Sequence, residues 1–133
     1  MTQTPMINVL IYKESRYPFN RKIIRSTVEE VLKTQGVKGK VEIGISVVGD
    51  RKMRELNKKY AQKDETTDVL SFSLENGAGF IAPPDGVLRL GDVVISYPEA
   101  VKNAAENNIL VDEEIGTLVE HGLKHLLGIH HEE

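Results

Sequence analysis

The chain has 133 residues, contains no cysteine and carries a formal net charge of −3. This length fits a single domain over residues 1–133, and the absence of cysteine excludes disulfide bonds, thiolate metal sites and a cysteine nucleophile. No apolar run approaches the roughly 20 residues of a membrane-spanning helix, and the first residues lack the basic region of a secretory signal. We therefore expect a cytoplasmic protein with no membrane partner and no disulfide-linked partner.

The hydropathy pattern predicts eight elements in the order βαβαββαα. Apolar and β-branched residues cluster or alternate in four segments that we expect to be strands: 6–12, 41–48, 68–74 and 87–97. Gly91, inside the fourth strand, predicts a bulge or a close approach of two backbones.

Apolar residues recur at helical spacing in four further segments, which we expect to be helices: 18–36, 51–61, 98–107 and about 112–128. Asp50 and Asp112 are the predicted N-caps of the second and fourth helices. The glycines and prolines of residues 75–86 predict a mobile loop. The expected fold is α/β (α+β), with one small mixed sheet and helices packed on it.

The four histidines all lie near the C-terminal end, as His121, His125, His130 and His131. On a helix, His121 and His125 fall about 40° apart, opposite an apolar stripe that includes Leu123. Two imidazoles one turn apart can bind the same metal ion. Gly128 is placed to end this helix in a left-handed turn, after which His130 or His131 can return to the ion.

The spacing of His121, His125, Gly128 and His131 matches the metzincin protease motif H-E-x-x-H-x-x-G-x-x-H. Gly122, however, stands where those enzymes carry their catalytic glutamate. Three imidazoles and an open water position are typical of catalytic zinc. The pattern therefore favours a hydrolytic metal site without the standard protease base, and the offset favours His131 over His130 as third ligand.

Three segments resemble the signatures of the YbeY family. HGLKHLLGIHH at 121–131 resembles H-G-x-L-H-L-x-G-Y-D-H, and LNKKYAQKDETTDVLSF at 56–72 resembles L-N-x-x-Y-R-x-K-D-x-P-T-D-V-L-S-F. LGDVVIS at 90–96 resembles L-G-D-I-x-I-S. Together the three matches cover most of residues 56–131.

This resemblance implies a zincin-like fold with one Zn²⁺ per chain, or Ni²⁺ in its place, held by His121, His125 and His131. It also implies a zinc-dependent, single-strand-specific endoribonuclease that acts in rRNA maturation, including processing of the 16S rRNA 3′ end, and in ribosome quality control. Single-stranded rRNA and ribosomal components are the expected partners.

Three departures of the chain from the family signatures bear on the expected site. Ala61 replaces an arginine thought to face RNA, so Lys63 is a candidate source of the missing phosphate contact. His130 replaces an aspartate next to the last ligand. Lys124 replaces a leucine, and either flanks the site and contacts a phosphate or is a solvated surface lysine.

The expected nucleophile is a water molecule bound to the metal, whose pKa the ion lowers. Asp68 is a candidate general base or partner of a metal ligand, and is equally suited to a strand cap or turn. Ser71 and Phe72 are candidates to line an RNA groove, with Phe72 either stacked on a base or placed in the core. Six basic residues lie within 51–63, which form either a polyanion-binding surface or a solvated helix face.

Two alternative functions are compatible with these residues. The first is a non-catalytic ribosome-assembly or binding factor with a structural metal, which the absent arginine at Ala61 supports. The second is a metallo-peptidase or deacylase whose base comes from elsewhere. Gly122 and the basic segment argue against the second alternative.

Overall fold

A computed structural model of the protein describes residues 6–14, 16–63, 65–73 and 86–128. The predicted order βαβαββαα is confirmed. The strands are β1 (Met6–Lys13), β2 (Lys40–Val48), β3 (Val69–Ser73) and β4 (Val87–Ser96). The helices are α1 (Arg21–Thr34), α2 (Asp50–Ala61), α3 (Tyr97–Asn107) and α4 (Val111–Leu126). The loop predicted at 75–86 lies outside the described residues except for Gly86.

The four strands form one mixed sheet in the order β1-β2-β4-β3. The pairs β1–β2 and β2–β4 are parallel, whereas β3 runs antiparallel to β4. The expected small mixed sheet with packed helices is therefore confirmed. Because β3 lies at one end of this order, it is an edge strand, and a cleft can form beside it.

Gly91 lies at a bulge in β4. Glu42 of β2 pairs with Arg89 and the next residue, Ile43, pairs with Gly91, so β4 contains one extra residue at this point. Gly91 has a φ of +130°, and a Cβ there would collide with the carbonyl oxygen of Phe72 on β3. Both alternatives predicted for this glycine, a bulge and a close backbone approach, are confirmed.

The larger core lies between one face of the sheet and the helices α1 and α4. It is formed by fully buried aliphatic side chains from all three elements, among them Ile24, Leu32, Ile43, Ile45, Val93, Ile95, Ile115 and Leu123. On the opposite face, α2 covers Val48 and Val94 with Met53. Helices α4 and α2 therefore lie on opposite faces of the sheet near its β3 edge.

The predicted N-caps Asp50 and Asp112 are wrong by one and two residues. Gly49 caps α2 and Leu110 caps α4. The Asp50 carboxylate instead accepts hydrogen bonds from Ser96 Oγ at 2.7 Å and Thr66 Oγ1 at 3.1 Å, and Asp112 accepts from the backbone N–H of Asn20 at 3.0 Å. Each carboxylate binds a donor from another part of the chain, so it is not used for the first turn of its own helix.

None of the described helices is both long enough and apolar enough to cross a membrane.

Candidate active site at the β3 edge

Helix α4 presents His121 and His125 on its exposed side. Ile115, Val119 and Leu123 on the opposite side are buried against the sheet, while both histidines are exposed. The predicted separation of an apolar and an imidazole face is therefore present. The two histidines share one face because they are four residues apart, which is about one helical turn.

The end of α4 also follows the prediction. The helix ends at Leu126, and Gly128 adopts a φ of +77°, the left-handed conformation that glycine accepts without a Cβ clash. The N–H of Gly128 donates to the carbonyl of His125 at 3.0 Å, which closes the last turn. His130 and His131 lie outside the described residues.

A cleft of about 460 Å³ opens between α4, β3 and the end of α2. Its lining combines the two histidines with residues from the other two elements: Tyr60, Ala61, Val69, Leu70, Ser71, Phe72 and Gly122. Ser71 and Phe72, predicted to line an RNA groove, thus share a cleft with the predicted metal ligands His121 and His125. Among the described residues β3 is an edge strand, so no further strand of that part of the chain covers this side of the cleft.

Ser71 and His125 are in direct contact across the cleft. Ser71 Oγ lies 2.7 Å from His125 Nδ1, so a hydrogen bond joins the centre of β3 to the last turn of α4. The alternation of side chains along β3 explains the contact. Val69 packs in the core beneath α4, and Ser71, two residues later, points to the same side of the sheet.

Gly122 lies against Val93 of β4. A Cβ at position 122 would be 2.6 Å from Val93 Cγ1 and 3.0 Å from Val93 Cγ2. Any side chain at this position would therefore collide with a central strand. The structure thus gives a packing reason for glycine at the position where metzincins carry their glutamate base.

Tyr60 is a cleft residue that the sequence pattern does not single out, because its helical spacing from Met53 and Leu56 predicts a place on the apolar face of α2. The side chain is 57% exposed and meets Phe72 edge-on, with ring centroids 5.0 Å apart. Lys59 Nζ lies 5.2 Å from the Tyr60 ring centroid. The exposure of Tyr60 could have been predicted from its position in the last turn of α2, close in sequence to the edge strand β3.

Phe72 has two roles in the structure. It is half-buried and packs with the apolar cluster of Met53 and Val94 beneath α2, while its ring also lines the cleft. The two alternatives considered for Phe72, core residue and groove residue, therefore describe two sides of one ring.

The basic residues of α2 are exposed. Arg51, Arg54 and Lys58 line a groove of about 660 Å³ together with the acidic residues Asp50, Glu55 and Glu65. Arg51 Nε lies 3.9 Å from Glu55 Oε1, and both side chains are exposed, so this pair contributes little to stability. Lys63, the candidate replacement for the family arginine, is exposed two residues after Ala61.

Asp68 is directed away from the cleft lining. Its Oδ2 accepts a hydrogen bond from Asn103 Nδ2 at 3.1 Å, and the same amide group donates to Glu114 Oε2 at 3.1 Å. The backbone carbonyl of Asp68 also accepts from the N–H of Ser96 at 2.9 Å. This placement favours the role of a residue that ties the start of β3 to α3 and α4 over that of a base beside the histidines.

Lys124 lies on the α1 side of α4. Its ammonium contacts Glu120 Oε2 at 2.6 Å, one turn back along the helix, and its side chain lines a groove with Thr27 and Glu30 of α1. Of the two alternatives stated for Lys124, a phosphate contact beside the site and a surface lysine, this placement favours the second, because α1 occupies that side of α4.

The donor set of the cleft suits a borderline-soft divalent ion such as zinc. His121 and His125 supply two imidazoles, and the Nδ1 contact of His125 is the kind of outer bond that metal-bound histidines make. Within residues 6–14, 16–63, 65–73 and 86–128, no group of three histidine, aspartate or glutamate side chains is placed to hold a metal. The third predicted ligand, His131, follows the last of these ranges.

The chain is similar to known proteins over most of its length. A family model described as Endoribonuclease YbeY matches residues 11–133. Proteins named Endoribonuclease YbeY include one from Dehalococcoides mccartyi that is 38% identical, over 96% of this chain and 84% of its own length. Another, from Roseiflexus castenholzii, is 35% identical over 96% of this chain and 80% of its own length.

A solved structure also resembles the fold. The solution structure of TM1509 from Thermotoga maritima aligns with a TM-score of 0.60 and 26% identity, and the match covers 94% of this chain and 75% of that protein. The family model spans all the elements that build the cleft, from α2 to α4. The chain belongs to the endoribonuclease YbeY family.

Proposed function

We propose that this protein is a metal-dependent endoribonuclease that cleaves single-stranded RNA in the cleft beside β3. The observation that carries the proposal is the pairing of two exposed imidazoles on α4 with an exposed aromatic ring, Tyr60, across the same open cleft. One side of the cleft offers metal ligands, and the other offers a surface on which a base can stack.

The ion in this proposal is zinc, with nickel as the alternative, one per chain, bound by His121, His125 and His131. A zinc ion bound there would lower the pKa of a coordinated water molecule and polarise the scissile phosphoryl group. The role of the chain itself is to hold the two described imidazoles one turn apart on α4, whose opposite face is buried against the sheet.

Substrate binding in this proposal depends on Tyr60 and Phe72. A base stacked on an exposed aromatic ring contributes about 1–3 kcal/mol, and stacking of this kind tolerates any sequence. In a duplex the faces of the bases are already covered by their neighbours, so such a surface selects unpaired nucleotides. This preference is the structural basis that we propose for single-strand specificity.

Phosphate binding is assigned to the basic end of α2. Ala61 lines the cleft with a methyl group where family members carry an arginine. Lys59, beside the Tyr60 ring, and Lys63, two residues after Ala61, are exposed cations close in sequence to that position. They provide the electrostatic attraction to the RNA backbone that the missing arginine would otherwise supply.

The proposed cellular role is rRNA maturation, including the 16S rRNA 3′ end, in the cytoplasm and with ribosomal components as partners. Expression of this chain in a bacterium that lacks its own YbeY protein tests that role. We expect wild-type protein to restore the mature 16S 3′ end and His121→Ala to leave the precursor. Full restoration by His121→Ala would contradict a catalytic role and favour an assembly factor.

The test of the proposed chemistry uses protein purified without a histidine tag. Metal content is measured first, and the protein is then incubated with a single-stranded RNA, its duplex and casein, each with and without a chelator. We expect chelator-sensitive cleavage of the single strand only, with activity restored by zinc.

The matched variants for this test are His121→Ala and Thr117→Ala. Thr117 is exposed one turn before His121 on α4, so its substitution controls for the loss of a surface side chain. Cleavage that survives chelation, or that survives in His121→Ala, would contradict the metal site. Chelator-sensitive loss of casein with intact RNA would instead indicate a peptidase.

A further inference from the structure

We propose that Ser71 is a positioning residue that accepts the Nδ1–H of His125 and so determines which imidazole nitrogen is presented to a metal ion. The inference rests on the metal dependence proposed above. It starts from the contact of 2.7 Å between Ser71 Oγ and His125 Nδ1.

The contact has a chemical consequence because a neutral imidazole carries its single proton on one nitrogen and its available lone pair on the other. If Nδ1–H donates to the serine oxygen, Nε2 carries the lone pair. Coordination through Nδ1 would require the hydrogen bond to Ser71 to break. The geometry therefore assigns Nε2 as the ligating atom of His125 and Ser71 as the group that holds the ring.

Ser71 is well placed to hold the ring because its own position is determined by the sheet. It is half-buried in β3, and its register partner on β4 is Val93. A serine in the middle of a paired strand has little freedom to follow a moving side chain. The hydroxyl is thus a fixed acceptor, whereas His125 lies in the last turn of a helix, where fraying is most common.

The same Val93 is the residue on which Gly122 lies. The close approach at Gly122 brings α4 near β4, and Ser71 is the neighbour of Val93 on the next strand. His125 follows Gly122 by three residues and therefore lies on the adjacent turn of the same helix. The glycine at position 122 is thus part of the geometry that allows Ser71 to reach His125.

The first test reads the tautomer without any metal. Long-range ¹H–¹⁵N correlation spectra of the metal-free protein, at a pH where the rings are neutral, show which nitrogen of His125 carries the proton. The His125 signals are assigned by their loss in His125→Ala. We expect the proton on Nδ1 in wild type and a shift towards the Nε2–H form, the commoner tautomer of a free histidine side chain, in Ser71→Ala. A wild-type proton on Nε2 would overturn the proposal.

The second test measures zinc affinity by competition with a chromogenic chelator. We expect Ser71→Ala to weaken binding by about 10–100-fold, the range found when an outer partner of a ligating histidine is removed. Ser71→Thr keeps the hydroxyl and should retain most of the affinity. Ser46→Ala removes a half-buried serine on the other face of the sheet and is the control for a general loss of stability.

The two tests separate this proposal from the proposed function. If wild type and Ser71→Ala bind zinc equally tightly, the positioning role is wrong while the metal site stands. If wild type binds no zinc, the metal dependence of the proposed function is wrong, and the tautomer spectra alone then decide whether Ser71 orients His125. Equal weakening in Ser71→Ala and Ser71→Thr would assign the effect to packing and overturn the role of the hydroxyl.

Discussion

Gly122 of α4 and Val93 of β4 are in such close contact that a side chain at position 122 would collide with the strand. The Cβ of an alanine there would be 2.6 Å from Val93 Cγ1, and Val93 is fully buried in the central strand β4. Because valine is branched at Cβ and stiff, its methyl groups cannot turn aside. The distance between α4 and the sheet, and hence the height of the histidines above β3, depends on this glycine.

We expect Gly122→Ala to lower the free energy of unfolding by roughly 1–2 kcal/mol, because overpacking costs about 1–3 kcal/mol and the better helix propensity of alanine returns up to about 1. Urea unfolding followed by circular dichroism measures the change. The matched control is Gly116→Ala on the same helix, where the nearest atom, Ile23 Cγ2, is 3.3 Å from the new Cβ. We expect that control to be neutral or slightly stabilising.

A second substitution checks the cause of this loss. Val93→Ala removes the methyl groups that a Cβ at position 122 would strike, so Gly122→Ala should be less harmful in a Val93→Ala background than in wild type. Equal losses in the two backgrounds would contradict the contact as the cause. A lost Ser71–His125 bond in Gly122→Ala, read from the ¹⁵N spectra, would link the helix position to the site.

The exposed ring of Tyr60 leads to a prediction for RNA affinity. If one base stacks on it, Tyr60→Ala should weaken binding of a single-stranded oligonucleotide by about 1–3 kcal/mol, roughly 5- to 150-fold, and Tyr60→Phe should keep most of the affinity. Fluorescence anisotropy with an RNA too short to fold measures both. Tyr12→Ala is the control, since Tyr12 is 61% exposed but lies on β1, at the opposite end of the sheet.

The element order and the histidine face could be predicted because both follow from local periodicity. The alternation of apolar and polar residues predicted the strands. The apolar stripe of α4 predicted that His121 and His125 face solvent. The bulge at Gly91 was also predictable, because a glycine in a strand signals an irregular backbone. Each of these features is determined by a short segment of sequence and does not depend on contacts with distant parts of the chain.

The positions that the sequence did not predict correctly depend on contacts between distant segments. Asp50 and Asp112 are good N-cap residues by type, but Ser96 and Asn20 bind their carboxylates from elsewhere in the chain. For Lys124 the sequence left two alternatives open, and the groove that favours one of them is shared with the distant helix α1. A helical wheel gives directions only, and the tertiary fold determines what occupies each direction.

The basic end of α2 predicts a specific salt dependence. Each lysine that contacts a phosphate of single-stranded RNA contributes about 0.7 to the slope of log affinity against log salt concentration. The double variant Lys59→Ala/Lys63→Ala should therefore lower the magnitude of that slope by about 1.4. Lys124→Ala should leave the slope unchanged, because Lys124 pairs with Glu120 on the α1 side of α4. A lower slope in Lys124→Ala would instead indicate that Lys124 contacts a phosphate.

Asn103 provides the test of what Asp68 does. Its amide group donates to Asp68 Oδ2 and to Glu114 Oε2, and Glu114 is buried. Asn103→Ala leaves both carboxylates without that donor, so we expect the free energy of unfolding to fall by about 1–3 kcal/mol. Asn107→Ala, one turn later on the exposed side of α3, should change it by less than about 0.5 kcal/mol. Denaturant unfolding of the three proteins gives both values.

Asp68→Asn then separates a structural role from a catalytic one. The asparagine keeps an oxygen that can accept from Asn103, so we expect a small change in stability and RNA cleavage close to the wild-type rate. A general base contributes about 10²–10⁴-fold to a rate. If Asp68→Asn unfolds at the wild-type denaturant concentration but cleaves RNA at least 100-fold more slowly, its carboxylate takes part in proton transfer, and the orientation towards Asn103 is not the one used in catalysis.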